Sequence, residues 1–171
     1  MTNKVLKIIT IENKTDEKFL RRKTADFGFL KTGKKELAEL IKNMRKMMYE
    51  ANGIGLSANQ IGLNMRLFVA QIFDKSLKRE MKFYAVFNPE IIKFSDKKVL
   101  MEEGCLSVPG VCGVVERPEK ITLAGQDKNG RKIKIKAAGI LARVFQHETD
   151  HLDGILFIDK AKIIQKIESR K

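Results

Sequence analysis

Several residue types and patterns are scarce in this chain of 171 residues, and each scarcity removes a class of explanation. There are two cysteines, Cys105 and Cys112, too few for the disulfide framework of a small secreted domain, so a reducing compartment fits better. No apolar run approaches the roughly 20 residues that a membrane-spanning helix needs. The opening residues Met1 to Lys7 lack a long apolar core, and Glu12, Asp16 and Glu17 follow soon after. Neither a secretory nor an organellar leader is expected, and the cytoplasm is the expected location. Internal repeats and low-complexity linkers are absent. Acidic residues are few: 21 Asp and Glu stand against 34 Lys and Arg, a formal net charge of +13. That excess fits a polyanionic partner such as RNA, and it equally fits a lysine-rich surface serving solubility. With 43% hydrophobic and 32% charged residues, the chain reads as soluble and globular. Its length suits one domain over residues 1–171 with room for a core.

Histidine is as scarce as cysteine, and both histidines fall together. They lie in the stretch from Gly139 to Gly154, four residues apart, as His147-Glu148-Thr149-Asp150-His151. Ile140, Leu141, Val144, Phe145 and Leu152 recur at helical spacing, and Gly154 is a helix stop. On a helix, positions i and i+4 stack on one face, so His147 and His151 can grip one ion. Glu148 lies about 100° round the helix, placed to reach a metal-bound water without being a ligand. This H-E-x-x-H pattern marks metal-assisted hydrolysis, with the glutamate as general base. Two histidines packed by chance on an amphipathic helix is the plain alternative, and the full motif outweighs it. Such hydrolase centres usually take three protein ligands, so a third must come from elsewhere.

The remaining segments predict the frame. A short helix is expected around Asp16–Arg22, and Lys35 to Glu50 reads as an amphipathic helix with Leu37, Leu40, Ile41, Met44, Met47 and Met48 on or near one face. The run Gly53-Ile54-Gly55-Leu56-Ser57-Ala58-Asn59-Gln60-Ile61-Gly62 follows a helix and not a strand, which argues against a dinucleotide loop. By itself it is a glycine-rich turn. Strands are expected at Leu67–Ile72, at Tyr84–Phe87 ending on Asn88-Pro89, from Ile91, and, after the stretch Val99–Pro109, at Val114–Pro118 and at Lys120–Ala124. Asp127-Lys128-Asn129-Gly130 is a hairpin turn into the alternating Arg131–Lys136, whose lysines form a solvated face. Strands followed by one long helix predict an α+β fold: a single domain of antiparallel β-sheets packed around a central, metal-binding H-E-x-x-H helix.

A thiolate is a good partner for two imidazoles around zinc or iron. Cys105, beside Gly104 and Leu106-Ser107, is a candidate, although a buried apolar cysteine explains it as well. Cys112 has no comparable context. At this point three stretches coincide in order and spacing. Gly53-Ile54-Gly55-Leu56-Ser57-Ala58-Asn59-Gln60, Glu103-Gly104-Cys105-Leu106-Ser107 and Gln146-His147-Glu148-Thr149-Asp150-His151 closely resemble the three motifs of peptide deformylases. Leu152-Asp153-Gly154-Ile155-Leu156-Phe157-Ile158-Asp159 continues the likeness, which spans about residues 36 to 160 and is thin before that.

The resemblance implies a metal-dependent amide hydrolase that removes the N-formyl group from the N-terminal formylmethionine of newly made polypeptides, releasing formate. It implies Cys105, His147 and His151 as ligands of one divalent ion per chain, Fe2+ first, with Zn2+, Ni2+ or Co2+ as alternatives. Glu148 would be general base and then acid, and Gln60 with the Leu106 backbone N–H would bind the oxyanion. Ile54 would line the methionine pocket, Gly55 and Gly104 would flank the substrate backbone, and Glu103 would support the site from behind. Ser57 stands where alanine is usual, and Thr149 where an apolar residue is common; both bear on substrate fit more than on chemistry. Implied partners are N-formylmethionyl peptides and, through the basic surface and the C-terminal tail, the ribosome. In that tail Ile163, Ile164 and Ile167 would form one apolar helical side. Two rivals remain open here. A zinc endopeptidase would need a downstream ligand, for which only Glu168 is available, and a basic RNA-binding module would need a fourth ligand for a structural metal.

Overall fold

The computed structural model describes residues 6–74, 79–80 and 82–167. The first five residues, on which the leader reading partly rests, lie outside this set, as do Glu168 and the rest of the tail. Among the described residues no helix is long and apolar enough to cross a membrane.

Asn13 decides where the first helix begins. Its side-chain oxygen accepts from the N–H groups of Thr15 and Asp16, at 2.9 and 3.1 Å, so α1 spans Lys14–Leu20 and starts two residues before the sequence reading. The second helix, α2 (Lys34–Glu50), buries Leu37, Ile41, Met44 and Met48, a spacing that keeps one face apolar. That face shares a core with Phe27, Leu56, Ile61, Leu67, Val69 and Phe87.

Two antiparallel sheets carry the rest. In the larger one the order is β1 (Gly55–Ser57), β2 (Leu67–Ala70), β5 (Tyr84–Phe94), β8 (Lys120–Gln126) and β9 (Lys132–Ala138). The glycine-rich turn is thus partly an edge strand, followed by a 3-10 turn over Ala58–Ile61. The smaller sheet holds β10 (Ala161–Lys166), β7 (Val108–Pro118) and β6 (Lys98–Cys105) in that order. A short pair, β3 (Phe73–Asp74) with β4 (Arg79–Glu80), stands apart. Along β9, Lys132, Lys134 and Lys136 are exposed, as their alternation predicts. The hairpin turn before them is pinned by Asp127, whose carboxylate accepts from the N–H groups of Asn129 and Arg131.

Two expectations are corrected. Asn88-Pro89 does not end a strand: β5 runs through it to Phe94. The ladder with β8 shifts register between Phe87 and Glu90, and this irregularity accommodates a proline that has no N–H to offer. Asn88 takes φ +48° there, and its side chain bonds the Phe27 backbone through both N–H and C=O and also reaches Gln126. Over Ala161–Lys166 the tail is a strand and not a helix. Residues Ala161–Lys166 pair antiparallel with β7, a state that suits their β-branched isoleucines. Ile163, Ile164 and Ile167 stay about half exposed and dock no helix on the core.

The third helix, α3 (Gly139–Leu152), lies at the centre and touches strands of both sheets. Ala142, Phe145 and Leu152 sit among Phe68, Val86 and Leu123 of the larger sheet. Gly154 ends the helix with φ +77°, where a side chain would also collide with the Arg21 carbonyl.

Candidate metal centre

The side of α3 that faces the smaller sheet is where chemistry gathers. One turn of helix brings His147 and His151 together, with ring centroids 4.9 Å apart. Opposite them, β6 and β7 are joined by Leu106 and Ser107 alone, so Cys105 sits at a hairpin tip. Its sulfur lies 3.1 Å from His151 Nε2, and single donor atoms of Cys105, His147 and His151 all fall within 4.8 Å of one another. A tetrahedral ion with bonds of about 2.0–2.3 Å needs its ligands roughly 3–4 Å apart, so this set fits one. The sulfur also accepts from the Ser107 N–H at 3.4 Å and from Gln60 Nε2 at 3.6 Å.

Charge supports the same reading. Burial opposes a proton on His147, yet its hydrogen bonds to the Cys105 sulfur and the Glu103 carboxylate push its pKa up to about 10: this spot attracts positive charge. Burial, with the neighbouring His147 and Arg117, holds His151 well below the ordinary histidine value and keeps it neutral, as a ligand must be. Its Nδ1 has no hydrogen-bond partner among the described residues.

His147 is oriented from behind. Its Nδ1 lies 2.9 Å from Glu103 Oε2, which leaves Nε2 as the nitrogen free to ligate. Glu103 is buried and held by Arg117 through Nε and Nη2, at 2.6 and 2.9 Å, and by Arg143 Nη1 at 2.9 Å. Burial alone would raise its pKa, but the Arg117 and His147 hydrogen bonds pull it far below the usual carboxylate range. Arg117 continues to Asp150 at 2.6 Å, and Asp150 to Lys160 at 2.7 Å. Sequence reasoning found Glu103 but missed Arg117, Arg143 and Asp150. Arg143 and Asp150 were legible, since they stand at i−4 and i+3 from His147 on one helical face. Arg117 carried no such signal, because its partners lie far along the chain.

A cavity of about 400 Å³ opens beside the donors, a fit size for a small ligand. Ile54, Gly55, Gln60, Gly104, Leu106 and Glu148 all line it. Ile54 is 40% exposed at its wall, whereas Gln60 and Glu148 are almost fully buried. Gln60 Oε1 accepts from the Ser57 N–H at 2.8 Å, and its Nε2 reaches Ser107 Oγ at 3.2 Å. Glu148 is not part of the three-donor set and accepts from Ser57 Oγ at 2.6 Å. Burial raises its pKa, against the pull of the charge on His147 and of the Ser57 hydroxyl. Gly55 leaves room here for the carboxylate, because a Cβ would displace Glu148 Oε1. Thr149 bonds the Phe145 carbonyl one turn back at 2.7 Å and does not line this cavity. Cys112 is opposite Gly104 in the ladder, a free thiol that contributes no atom to the centre.

Residues 5–167 match the family described as polypeptide deformylase. A peptide deformylase of Thermodesulfovibrio yellowstonii is 45% identical over 136 residues, 80% of this chain and 81% of that one. One from Syntrophomonas wolfei is 41% identical over 157 residues, 92% and 93% of the two chains. Among solved structures, a probable peptide deformylase from Synechococcus phage S-SSM7 superposes with a TM-score of 0.80 at 42% identity, covering 91% of this chain and 99% of that one. A class I type b peptide deformylase from Acinetobacter baumannii with Met-Ala-Ser bound gives 0.82 at 31% identity, covering 93% and 99%.

Proposed function

The chain belongs to the polypeptide deformylase family, and from that premise we propose how its residues share the reaction. The reaction is hydrolysis: the N-formyl group of newly made polypeptides is removed and formate released. In our reading, Cys105, His147 and His151 hold one divalent cation per chain. Fe2+ is the first choice, and the same donors accept Zn2+, Ni2+ or Co2+. Such a cation supplies Lewis acidity, which acidifies water and polarises a carbonyl. Glu148 takes the proton of the attacking water and passes it to the amine that leaves. As the formyl carbon becomes tetrahedral its oxygen gains charge, and Gln60 Nε2 and the Leu106 N–H are the donors offered to it. Ile54 walls the methionine side chain, while Gly55 and Gly104 let the peptide backbone lie close. A formyl carbon carries only hydrogen, so a narrow site excludes bulkier acyl groups.

One observation carries this reading: three donor atoms within 4.8 Å of one another, with a buried carboxylate beside them that is not part of the set. The tripeptide bound to the Acinetobacter relative is what deformylation of formyl-Met-Ala-Ser would leave, which supports the substrate class. The test is formate release from formyl-Met-Ala-Ser by anaerobically purified protein, with metal content measured on the same sample. We expect turnover and about one metal per chain; acetyl-Met-Ala-Ser should be left intact. Metal-loaded protein that releases no formate would defeat the assignment.

We further propose a cytoplasmic enzyme that works near the ribosome, held by its basic surface through counterion release. The exposed Lys132, Lys134 and Lys136 of β9 support this better than the tail does, since β10 is built into a sheet and Ile167 lines the cavity. Replacing the three lysines with glutamate should weaken ribosome co-sedimentation and flatten its salt dependence. Unchanged co-sedimentation removes β9 from the interface.

A further inference from the structure

Ser57 has a place in the site that no motif role accounts for. Side chains alternate along a strand, so on β1 Leu56 enters the core while Gly55 and Ser57 look to the other side. There both meet the same carboxylate. Gly55 leaves the room that Glu148 Oε1 occupies, and Ser57 Oγ lies 2.6 Å from Glu148 Oε2 and 3.0 Å from the Glu148 carbonyl oxygen. Ser57 is fully buried and its backbone is fixed twice, by pairing opposite Phe68 and by its N–H to Gln60 Oε1 at 2.8 Å. No other side chain among the described residues hydrogen-bonds the Glu148 carboxylate.

We propose that Ser57 is a positioning residue for Glu148: it holds Oε2 and so leaves Oε1, on the cavity side over Gly55, as the oxygen that exchanges protons with water and substrate. This rests on Glu148 being the base of the hydrolysis. The terminal torsion of a glutamate is broad and two-fold and does not hold a carboxylate plane by itself, so in this chain, which carries serine where alanine is usual, the hydroxyl fixes that plane. The contact persists when Oε1 has taken up a proton during turnover, because Oε2 is then the carbonyl oxygen of the acid and still accepts from the Ser57 hydroxyl. The sequence reading tied Ser57 to substrate fit; the geometry ties it to the base.

Ser57→Ala and Ser57→Thr, assayed with formyl-Met-Ala-Ser and with metal content on the same samples, decide the matter. In Ser57→Ala we expect kcat to fall between about tenfold and a hundredfold, the scale of misplacing a reacting group by an ångström or less. KM should stay within about twofold and metal at wild-type stoichiometry, because neither substrate nor ligand contacts are removed. Ser57→Thr, which keeps the hydroxyl, should recover most of the loss. Should Ser57→Ala not fold, Ser57→Cys, similar in size and a weak donor, is read on the same scale. A kcat within about threefold of wild type in the folded variant, or an equal loss in Ser57→Thr, overturns the proposal. Wild-type protein that releases no formate refutes instead the hydrolase reading on which it rests.

Discussion

Removing Glu103 should cost this protein both stability and metal, and the structure lets each be sized. The carboxylate is 4% exposed and accepts four hydrogen bonds, two from Arg117, one from Arg143 and one from His147. Breaking a buried ion pair from one side costs about 3–5 kcal/mol. Arg117 keeps Asp150, and Arg143 keeps the carbonyls of Val115 and Val99, so the low end, about 3 kcal/mol, is expected for Glu103→Ala. Glu103→Gln should be little better, because its amide nitrogen must face arginine or histidine N–H groups, donor against donor. Loss of the contact to His147 Nδ1 should also weaken metal binding by about 10–100-fold. Urea unfolding with metal removed isolates the first effect, and chelator competition measures the second. The acid dependence has a definite sign. The folded pKa of Glu103 is depressed, so its contribution is full above the ordinary carboxylate range and fades as pH falls below it. The stability gap between wild type and Glu103→Ala should therefore be flat from about pH 7 to 5 and narrow only in stronger acid. A gap below about 1 kcal/mol at neutral pH, the size of an exposed pair, would refute the reasoning.

Four further substitutions test the assigned roles. Glu148→Gln should abolish turnover while metal stays near one per chain, since the carboxylate faces Ser57 and Gly55; loss of metal together with activity would make it a ligand. Cys105→Ala should lose metal and activity together and Cys112→Ser neither, because only Cys105 belongs to the donor set; wild-type metal content in Cys105→Ala would place the third ligand elsewhere. Gln60→Leu should lower kcat by about 10²–10³, the usual scale for one oxyanion donor, with metal binding intact; a variant within about threefold of wild type makes Gln60 a packing residue.

What the sequence disclosed here is what local periodicity can carry. The apolar face of α2, the two histidines on one side of α3 and the Asp127–Gly130 turn each need only their own neighbours to form, and each was readable. The bulge at Asn88 was not, because the contact that holds Asn88 there is with Phe27, sixty-one residues away, whose backbone that side chain satisfies. The tail was misread for the same reason: its isoleucines fit a helical side on paper, and pairing with β7 decides the matter. Arg117 and its carboxylates likewise meet only across the fold.

The metal centre itself combines both kinds of information. On β6, residues two apart share a face, so Glu103 and Cys105 turn together toward α3, the support beside the ligand. On α3, residues three and four apart share a face, so Arg143, His147, Asp150 and His151 turn together toward β6 and β7. Each pattern was legible by itself, the strand's period of two and the helix's of 3.6. Their meeting was not, and it depends on the hairpin: the β6–β7 register shifts between Gly104 and Cys105, just where the chain turns. A one-residue slip of β6 against β7 would present Gly104 and Glu102 to the helix in place of Cys105 and Glu103. The buried Arg117, anchored on β7 and bonded to Glu103 on β6 and Asp150 on α3, opposes that slip, since any other register takes Glu103 from it and leaves Asp150 alone to balance it. The same ion pairs that orient His147 therefore also hold the register that delivers Cys105.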